Sequence, residues 1–289
     1  MKTPQLSYYD MTPGAVAFST TRLGGYGTGA YGEFNITHYC GDEPATVTKN
    51  RAALCQLLGI ADQTLILPRQ THGTEVLRVD ESLLTLPPHT QQERLEGIDA
   101  LVTDLRDVCI GVSTADCIPV LVYDTRRHVA AAIHAGWRGT VARIVEKTIV
   151  RMAEWYGSQP ENMVAQTGPG ISLPSFEVGD EVYEAFRDAG FQMTSIARRM
   201  ARQKAGEPAS DNRHVAQHSH GKAGSNGTRE MRWHIDLPEC NRLQLLACGI
   251  PQEAVSVSPV CTYLQPHRFF SARRLGIQSG RIYTAIMMK

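Results

Sequence analysis

The chain has 289 residues and a mass of 31.8 kDa, which is enough for one large domain or two small ones with a sizeable core. Its 29 Lys and Arg residues balance its 29 Asp and Glu residues, so the formal net charge is zero. This balance argues against a protein built mainly to bind nucleic acid. No stretch reaches the roughly 18 to 20 apolar residues of a membrane helix.

The cysteine content and the N-terminus predict the cellular compartment of the protein. The seven cysteines are odd in number and contain no CxxC pair. The first residues, MKTPQLSYYDMTPGAVAF, have no continuous apolar region of the kind that an export signal needs. We therefore expect free thiols in a reducing cytoplasm.

Apolar runs rich in β-branched residues predict ten strands. In chain order they are Val16–Thr20, Leu65–Gln70, Glu75–Val79, Ala100–Thr103, Val108–Ser113, Ile118–Tyr123, Val129–His134, Met163–Thr167, Val255–Val260 and Ile282–Ile286.

Four segments have the caps or the apolar spacing of helices. The first starts at Asp42 and Pro44 and ends at Gly59. The others are residues 139–156, residues 180–189 and a helix from Asp236 or Pro238 to the residue before Gly249. A polar, basic stretch at about 204–228 predicts a long mobile loop, which we interpret as a solvated insertion. A basic loop beside an active site would attract an anionic substrate.

The strands predicted around residues 118–134 form a hairpin that brings Cys117 to His134. A two-residue turn would place the two residues directly opposite each other, because paired residue numbers would then sum to about 251. A three-residue turn would place Cys117 opposite Ala135, one step from His134. Either register joins the thiol and the imidazole at the open end of the hairpin.

Two kinds of chemistry fit this pair. Cys117 is a nucleophile with His134 as its base, or both residues bind a metal and a third ligand exists. The best third candidate is His72, which precedes Gly73 in a predicted loop between strands. One Cys and two His with an open fourth position form the pattern of a catalytic zinc site. Asp116 is adjacent to Cys117 and is a candidate to orient a ligand or to take a proton.

Three arginines are candidates for holding an anion. Arg138 lies between Gly136 and Gly139 at a predicted helix start, where free N–H groups favour negative charge. Arg273 and Arg274 follow two Phe residues near the C-terminus, and either guanidinium suits a phosphate or a carboxylate. Surface charge or a salt bridge explains the last two equally well.

Several motifs together resemble one family, named YfiH, DUF152 or multicopper polyphenol oxidase (laccase). Its members are also called purine nucleoside phosphorylase and peptidoglycan editing factor. The motifs follow in the family's order over most of the chain: STTRLGG at 19–25, FNIT at 34–37, RQTHGTEV at 69–76, DALVTD at 99–104, TADCIPVLVYD at 114–124, AAIHAGWRGT at 131–140, GPGI at 168–171, HIDLP at 234–238 and CTY…FFSARR…GR at 261–281.

The resemblance implies a single α+β domain over residues 1–289, with mixed β-sheets flanked by helices and a likeness to cysteine hydrolases. It also implies a zinc site at His72, Cys117 and His134. The implied activity is phosphorolysis of adenosine, inosine, guanosine and methylthioadenosine, with an associated adenosine deaminase activity. Arg22, Arg138, Arg273 and Arg274 are then candidates for contacts with phosphate or ribose. We expect a monomer that needs no protein partner, nucleic acid or membrane.

Three other functions remain open. The first is an amide hydrolase that edits cytoplasmic peptidoglycan precursors, acting on UDP-sugar amino acids. The second is a copper polyphenol oxidase, although the chain has one HxH motif, at 218–220, where such enzymes need several. Apart from such an activity, His72, Cys117 and His134 can bind copper adventitiously, because copper outcompetes zinc at most N/S sites. The third is a non-catalytic protein with structural zinc.

One departure from the family, PSFEV at 174–178, would alter the pocket wall.

Overall fold

The structure is a computed structural model that describes residues 2–201 and 230–289. The loop predicted at about 204–228, and with it the HxH motif, lies outside the described residues. None of the described helices combines the length and the apolar character that crossing a bilayer requires.

The described residues form fourteen strands. They are β1 Leu6–Tyr9, β2 Ala15–Thr20, β3 Leu65–Ile66, β4 Val76–Arg78, β5 Ala100–Thr103, β6 Cys109–Thr114, β7 Ile118–Asp124, β8 Val129–Ala135, β9 Met163–Thr167, β10 Glu177–Val178, β11 Ala197–Ala201, β12 Met231–Ile235, β13 Val255–Ser256 and β14 Ile282–Met288.

They also form nine α-helices. These are α1 Pro44–Leu58, α2 Glu81–Leu84, α3 Pro88–Arg94, α4 Trp137–Val141, α5 Ile144–Tyr156, α6 Asp180–Asp188, α7 Met193–Ile196, α8 Leu237–Ala247 and α9 Ala272–Leu275. The predicted α+β fold class is confirmed.

Two mixed sheets carry the fold. One has the order β1-β2-β14-β6-β3 and the other β13-β9-β7-β8-β5-β4, and in each the last strand pair, β3 with β6 and β4 with β5, is parallel. A third, antiparallel sheet has the order β10-β12-β11.

The two mixed sheets pack face to face with helices on their outer sides. One core cluster joins Ile110 and Ile286 of the five-stranded sheet to Leu121 and Ala132 of the six-stranded sheet. The outer face of the six-stranded sheet packs on α5 and α8, and the outer face of the five-stranded sheet packs on α1. Because β7 and β8 are buried on both faces, all their residues lie below the surface, as in the near-continuous apolar run of the sequence.

Some predicted elements differ from the structure. The helix expected over 139–156 starts earlier, at Trp137, and is broken into α4 and α5 at Arg143, whose φ of 65° interrupts the helical hydrogen bonding. The strands expected at 65–70 and 255–260 end after two residues. A proline follows soon after each, at 68 and 259, and proline cannot donate to a strand ladder.

Both predicted registers of the β7–β8 hairpin are wrong. The structure pairs Asp124 with Val129 and Pro119 with His134, so the turn has four residues. The Asp124 Oδ1 atom accepts hydrogen bonds from the N–H groups of Arg126 and Arg127, which stabilises this longer turn. His134 is therefore not directly opposite Cys117, which precedes the first paired residue of β7.

Candidate metal centre and its cavity

Three side chains from distant parts of the sequence meet at the open end of the β7–β8 hairpin. One ligand atom each of His72, Cys117 and His134 lies within 4.8 Å of the other two. His72 is exposed, Cys117 is half-buried and His134 is buried. Within residues 2–201 and 230–289, no other group of three His, Cys, Asp or Glu side chains is placed to hold a metal ion.

Local backbone geometry presents two of the three side chains. His72 has a φ of 63° in the loop between β3 and β4. Asp116 has a φ of 91° in the connection between β6 and β7, directly before Cys117. Such left-handed conformations are uncommon for residues other than glycine and concentrate at functional sites. His134 instead projects from the regular strand β8.

Asp99 organises two of the three candidate ligands. Its Oδ1 atom lies 2.7 Å from Nδ1 of His134 and accepts the N–H of His72 at 3.0 Å. Its Oδ2 atom accepts the N–H groups of Thr71 at 3.2 Å and Gly73 at 2.8 Å. The carboxylate is fully buried. It orients the His134 ring and shapes the His72 loop, as carboxylates behind metal-binding histidines do.

Gly136 leaves the space that the cluster occupies. A Cβ atom at this position would lie 2.8 Å from Cδ2 of His72 and 3.1 Å from Sγ of Cys117. The first distance is shorter than real Cβ contacts. Any side chain here would push the thiol and the imidazole away, so the residue is Gly for steric reasons.

The thiol and the imidazole stabilise each other's charge. Burial by itself raises the pKa of Cys117, but the charges and hydrogen bonds of His134 and His72 outweigh it and lower that pKa to about 6. Burial likewise opposes protonation of His134, yet Cys117 and Asp99 raise its pKa to about 9. Burial also opposes ionisation of Asp99, whose pKa is lowered by the hydrogen bond with His134 and by backbone N–H groups.

These residues fit a metal ion. The thiolate form that the site favours is the form that binds metals. Nδ1 of His134 faces Asp99, which leaves Nε2 as its ligand atom. One Cys and two His with an open position are the donor set of a catalytic zinc site.

A cavity of about 390 Å³ opens on the three ligands. Its lining residues come from the segment before α1, the loop between β3 and β4, the end of β6 with the β6–β7 connection, the end of β8, and α9 with the segment that follows it. They are Tyr39, Cys40, Arg69, Gln70, His72, Ser113, Thr114, Ala115, Cys117, His134, Ala272, Ile277, Gln278 and Arg281. The Gln70 side chain joins two of these lining segments by hydrogen bonds. It accepts from Tyr39 Oη and from the Ser113 N–H, and it donates to the Ser113 carbonyl.

The candidate acid or base Asp116 lies beside the ligands but is already bonded. One carboxylate oxygen accepts from Thr262 Oγ1 at 2.7 Å, and the other accepts the N–H of Arg273 at 2.8 Å. Asp116 thereby joins the Cys117 turn to the start of α9.

The four arginines predicted to contact substrate are not among the residues that line the cavity. Arg22 donates to the carbonyls of Gly32, Pro266 and Gly29. The others lie exposed over aromatic rings: Arg138 over Trp137, Arg273 over Phe176 and Arg274 over Tyr263.

Sequence reasoning missed Asp99, Arg69 and Arg281, and it placed Gly136 at a predicted anion site and not beside the candidate ligands. Asp99, Arg69 and Arg281 lie inside the motifs DALVTD, RQTHGTEV and the C-terminal GR, so their position in family motifs was a signal for them. Nothing in the spacing of these residues shows which side chains the fold turns toward the cavity.

The fold is that of a family whose named members include enzymes. The family model described as multi-copper polyphenol oxidoreductase laccase matches residues 16–289. The chain belongs to this family, the one that includes YfiH, and the predicted family membership is confirmed.

Three related proteins cover nearly the whole chain. A purine nucleoside phosphorylase from Bacteroides thetaiotaomicron is 44% identical over 271 residues, which are 94% of this chain and 90% of that protein. Adenosine deaminase RL5, from an unknown prokaryotic organism, is 39% identical over 285 residues, or 99% and 98% of the two chains. The crystal structure of the Bacillus licheniformis hypothetical protein YfiH has the same fold, with a TM-score of 0.79 at 23% identity and coverage of 98% and 99%.

Proposed function

We propose that this protein is a zinc-dependent purine nucleoside phosphorylase with an associated adenosine deaminase activity. The observation that carries the proposal is the open set of His72, Cys117 and His134 at the wall of a cavity of about 390 Å³. A cavity of this size suits a small ligand. The names of the two relatives, a phosphorylase and a deaminase, support the same substrate class.

Zinc would be held by Cys117 Sγ, by Nε2 of His134 and by a ring nitrogen of His72. When bound, it supplies a Lewis acid that polarises an oxygen atom of a reactant. Asp99 fixes the tautomer of His134 through Nδ1 and so keeps Nε2 available.

Phosphorolysis requires little covalent participation by the protein. An oxygen of hydrogenphosphate forms a bond to C1′ of the ribose, the C1′–N9 bond breaks, and its electron pair leaves with the purine. The phosphate proton ends on the purine, so atoms and charge balance. The lining residues that carry formal charge when metal-free are the Cys117–His134 pair and two arginines, Arg69 and Arg281. The arginines suit an anionic reactant.

Deamination uses water in the place of phosphate. A C6–O bond forms, the C6–N bond of adenosine breaks, and ammonia leaves, giving inosine. The same cavity would serve both reactions, because only the nucleophile and the reacting carbon differ. In both reactions Asp116 is a positioning residue: its bonds to Thr262 and Arg273 fix the turn that carries Cys117.

A second candidate function is an amide hydrolase of cytoplasmic peptidoglycan precursors. The specific observation in its favour is the Cys117–His134–Asp99 chain, which has the contacts of a nucleophile, a base and an orienting carboxylate. In this mechanism the thiolate forms a bond to the amide carbonyl carbon without a metal, the C–N bond breaks, and the amine leaves with a proton from His134. Water then hydrolyses the thioester and returns the thiolate. The two functions therefore respond to a chelator in opposite ways.

The test is one reaction read by chromatography. Zinc-loaded protein is incubated with adenosine and phosphate, beside a chelated sample, Cys117→Ala and the matched variant Cys248→Ala, whose thiol is at the end of α8. We expect adenine and ribose 1-phosphate, and inosine from the deaminase branch, from the zinc-loaded wild type and Cys248→Ala alone. No turnover of adenosine by fully zinc-loaded protein would overturn the proposal, and cleavage of a UDP-sugar amino acid by chelated protein would establish the hydrolase.

The proposed function also includes a cellular location, a set of reactants and an oligomeric state. The seven cysteines are all free thiols, which supports the proposed cytoplasmic location. We propose purine nucleosides and phosphate as its partners and a monomer as its working state.

A further inference from the structure

The two arginines that line the cavity differ in how their charge is compensated. Arg69 Nη1 lies 2.6 Å from Glu96 Oε1 in an exposed ion pair. No carboxylate lies within ion-pair distance of Arg281 among the described residues, and no Asp or Glu is among those that line the cavity. Arg281 is therefore the cation of this cavity whose charge an anionic ligand would compensate.

Backbone carbonyls hold the Arg281 guanidinium in place. Nη1 donates to the carbonyls of Ser279 at 2.7 Å and Gly280 at 2.9 Å, and Nη2 donates to the carbonyl of Ile277 at 2.8 Å. The Arg281 N–H is itself fixed to Oδ1 of the buried Asn35. An arginine held in this way loses little side-chain entropy when it binds an anion.

Two guanidinium hydrogens remain available. A guanidinium has five N–H donors, and the carbonyl contacts use both hydrogens of Nη1 and one of Nη2. The Nε–H and the second Nη2–H have no partner within residues 2–201 and 230–289. Two such donors on one planar group match two oxygens of a phosphate.

The Arg281 charge acts on the cavity wall. Burial raises the pKa of Tyr39 and of Cys40, and the charge of Arg281 is among the interactions that oppose this rise at both residues. Both side chains line the same cavity as the three candidate metal ligands. The Arg281 guanidinium therefore lies close to Tyr39 and Cys40 at the cavity wall.

We propose that Arg281 binds the phosphate group of the substrate through its Nε and Nη2 hydrogens. This assignment rests on the proposed function and replaces the four arginines predicted from the sequence. Free phosphate is the expected source, and the diphosphate of a UDP-sugar is the other source with the same chemistry. The test therefore includes both.

The experiment measures the phosphate KM of adenosine phosphorolysis in zinc-loaded wild type, Arg281→Gln and Arg281→Lys. Charge-assisted bonds of this kind are worth about tenfold or more in affinity, so we expect the phosphate KM of Arg281→Gln to rise at least about tenfold. Arg281→Lys keeps the charge but loses the paired donors and should lie between. The adenosine KM of the deaminase reaction, which uses no phosphate, should change little.

Two further variants serve as controls. Arg69→Gln removes the other cavity arginine, whose charge Glu96 compensates, so its phosphate KM should rise less than that of Arg281→Gln, and an equal or larger rise would overturn the assignment to Arg281. Arg151→Gln removes an exposed arginine of α5 that pairs with Glu154 and should leave all rates unchanged. A loss of deaminase activity in Arg281→Gln that matches the loss of phosphorolysis would show a structural role and overturn the assignment.

Failure of the assignment and failure of the proposed function are separate results. If wild type makes no ribose 1-phosphate, the proposed function fails, and calorimetric titration of wild type and Arg281→Gln with inorganic phosphate then tests Arg281 directly. Equal phosphate affinity in the two proteins overturns the assignment. Weaker binding of a UDP-sugar amino acid to Arg281→Gln, without a change for inorganic phosphate, would identify the diphosphate as the source and overturn the assignment to free phosphate.

Discussion

The Cys117 thiol packs against Gly136, where a Cβ atom would lie 3.1 Å from Sγ. The same Cβ would lie 2.8 Å from the His72 ring, which is too close for an ordinary contact. The positions of two of the three candidate ligands therefore depend on the absence of one side chain. The backbone at Gly136, with φ −69° and ψ 167°, is open to any residue, so steric exclusion and not strain requires Gly.

Replacing Gly136 by Ala should weaken zinc binding while the fold is kept. The added methyl displaces His72 or Cys117, and changes beside metal ligands cost about 10- to 100-fold in affinity. The measurement is zinc affinity by competition with a chromophoric chelator. The unfolding temperature of the metal-free protein, compared with wild type, is the control, and wild-type zinc affinity would contradict the steric argument.

Replacing Asp99 by Asn should cost both stability and zinc affinity. The amide presents N–H hydrogens where three backbone N–H groups and the His134 ring need an acceptor. Disrupting a buried network of this kind costs about 2–4 kcal/mol in the free energy of unfolding. Denaturant titration of metal-free protein measures this loss, and chelator competition measures the accompanying loss of zinc affinity.

The matched variant for Asp99 is Asp124→Asn. Asp124 is also buried and accepts two backbone N–H groups, but it lies at the opposite end of the hairpin from the ligands. It should lose stability without losing zinc affinity. Equal zinc losses in the two variants would contradict the role of Asp99 in orienting His134.

Zinc binding should release protons in a pattern set by the Cys117–His134 pair. With pKa values of about 6 for Cys117 and about 9 for His134, metal-free protein at pH 7.5 holds a thiolate and an imidazolium. Zinc needs a neutral imidazole, so binding displaces about one proton at this pH, chiefly from His134. Zinc affinity should then rise about tenfold per pH unit between about 6 and 9, and level off above 9.

Calorimetry in buffers with different ionisation enthalpies counts the released protons. Cys248→Ala is the control, because its thiol lies at the end of α8 and the variant should release the same number of protons as wild type. Zinc binding by wild type at pH 7.5 without proton release would show a thiolate beside a neutral imidazole in the metal-free protein and would contradict the raised pKa of His134.

Replacing Thr114 by Val should separate stability from substrate binding. Thr114 lines the cavity, and its buried Oγ1 atom has no hydrogen-bond partner among the described residues. A methyl group in its place removes an unsatisfied polar atom, so the unfolding free energy should stay the same or rise by up to about 1 kcal/mol. The nucleoside KM should rise if a bound substrate supplies the missing partner.

Thr103→Val is the matched control for Thr114→Val. The Thr103 hydroxyl is equally buried but donates to the Val79 carbonyl and accepts from Leu105 N–H. This variant should lose about 1–3 kcal/mol of stability with an unchanged nucleoside KM. An equal loss of stability in Thr114→Val would show that the Thr114 hydroxyl has a partner in the folded protein.

The hairpin shows how far local sequence reasoning reaches. Alternating and continuous apolar runs predicted β7 and β8 to within one residue, because buried strands need such residues. The turn between them was wrong, since its length depends on the side-chain hydrogen bonds of Asp124. The meeting of Cys117 with His134 survived this error because both residues lie at the open end of the same hairpin.

The sequence by itself determined the donor types, the main strands and helices, and the family, because these depend on residue identity and on short periodic patterns. The tertiary structure alone decided that Asp99 holds His134, that Gly136 makes room for the thiol, and that Arg281 lines the cavity where Arg22, Arg138, Arg273 and Arg274 do not. These relationships join different parts of the chain, and the Arg281 backbone is fixed by Asn35, which lies 246 positions earlier. The direction of a side chain at such a junction is set by the packing of two sheets, which no local pattern in the chain encodes.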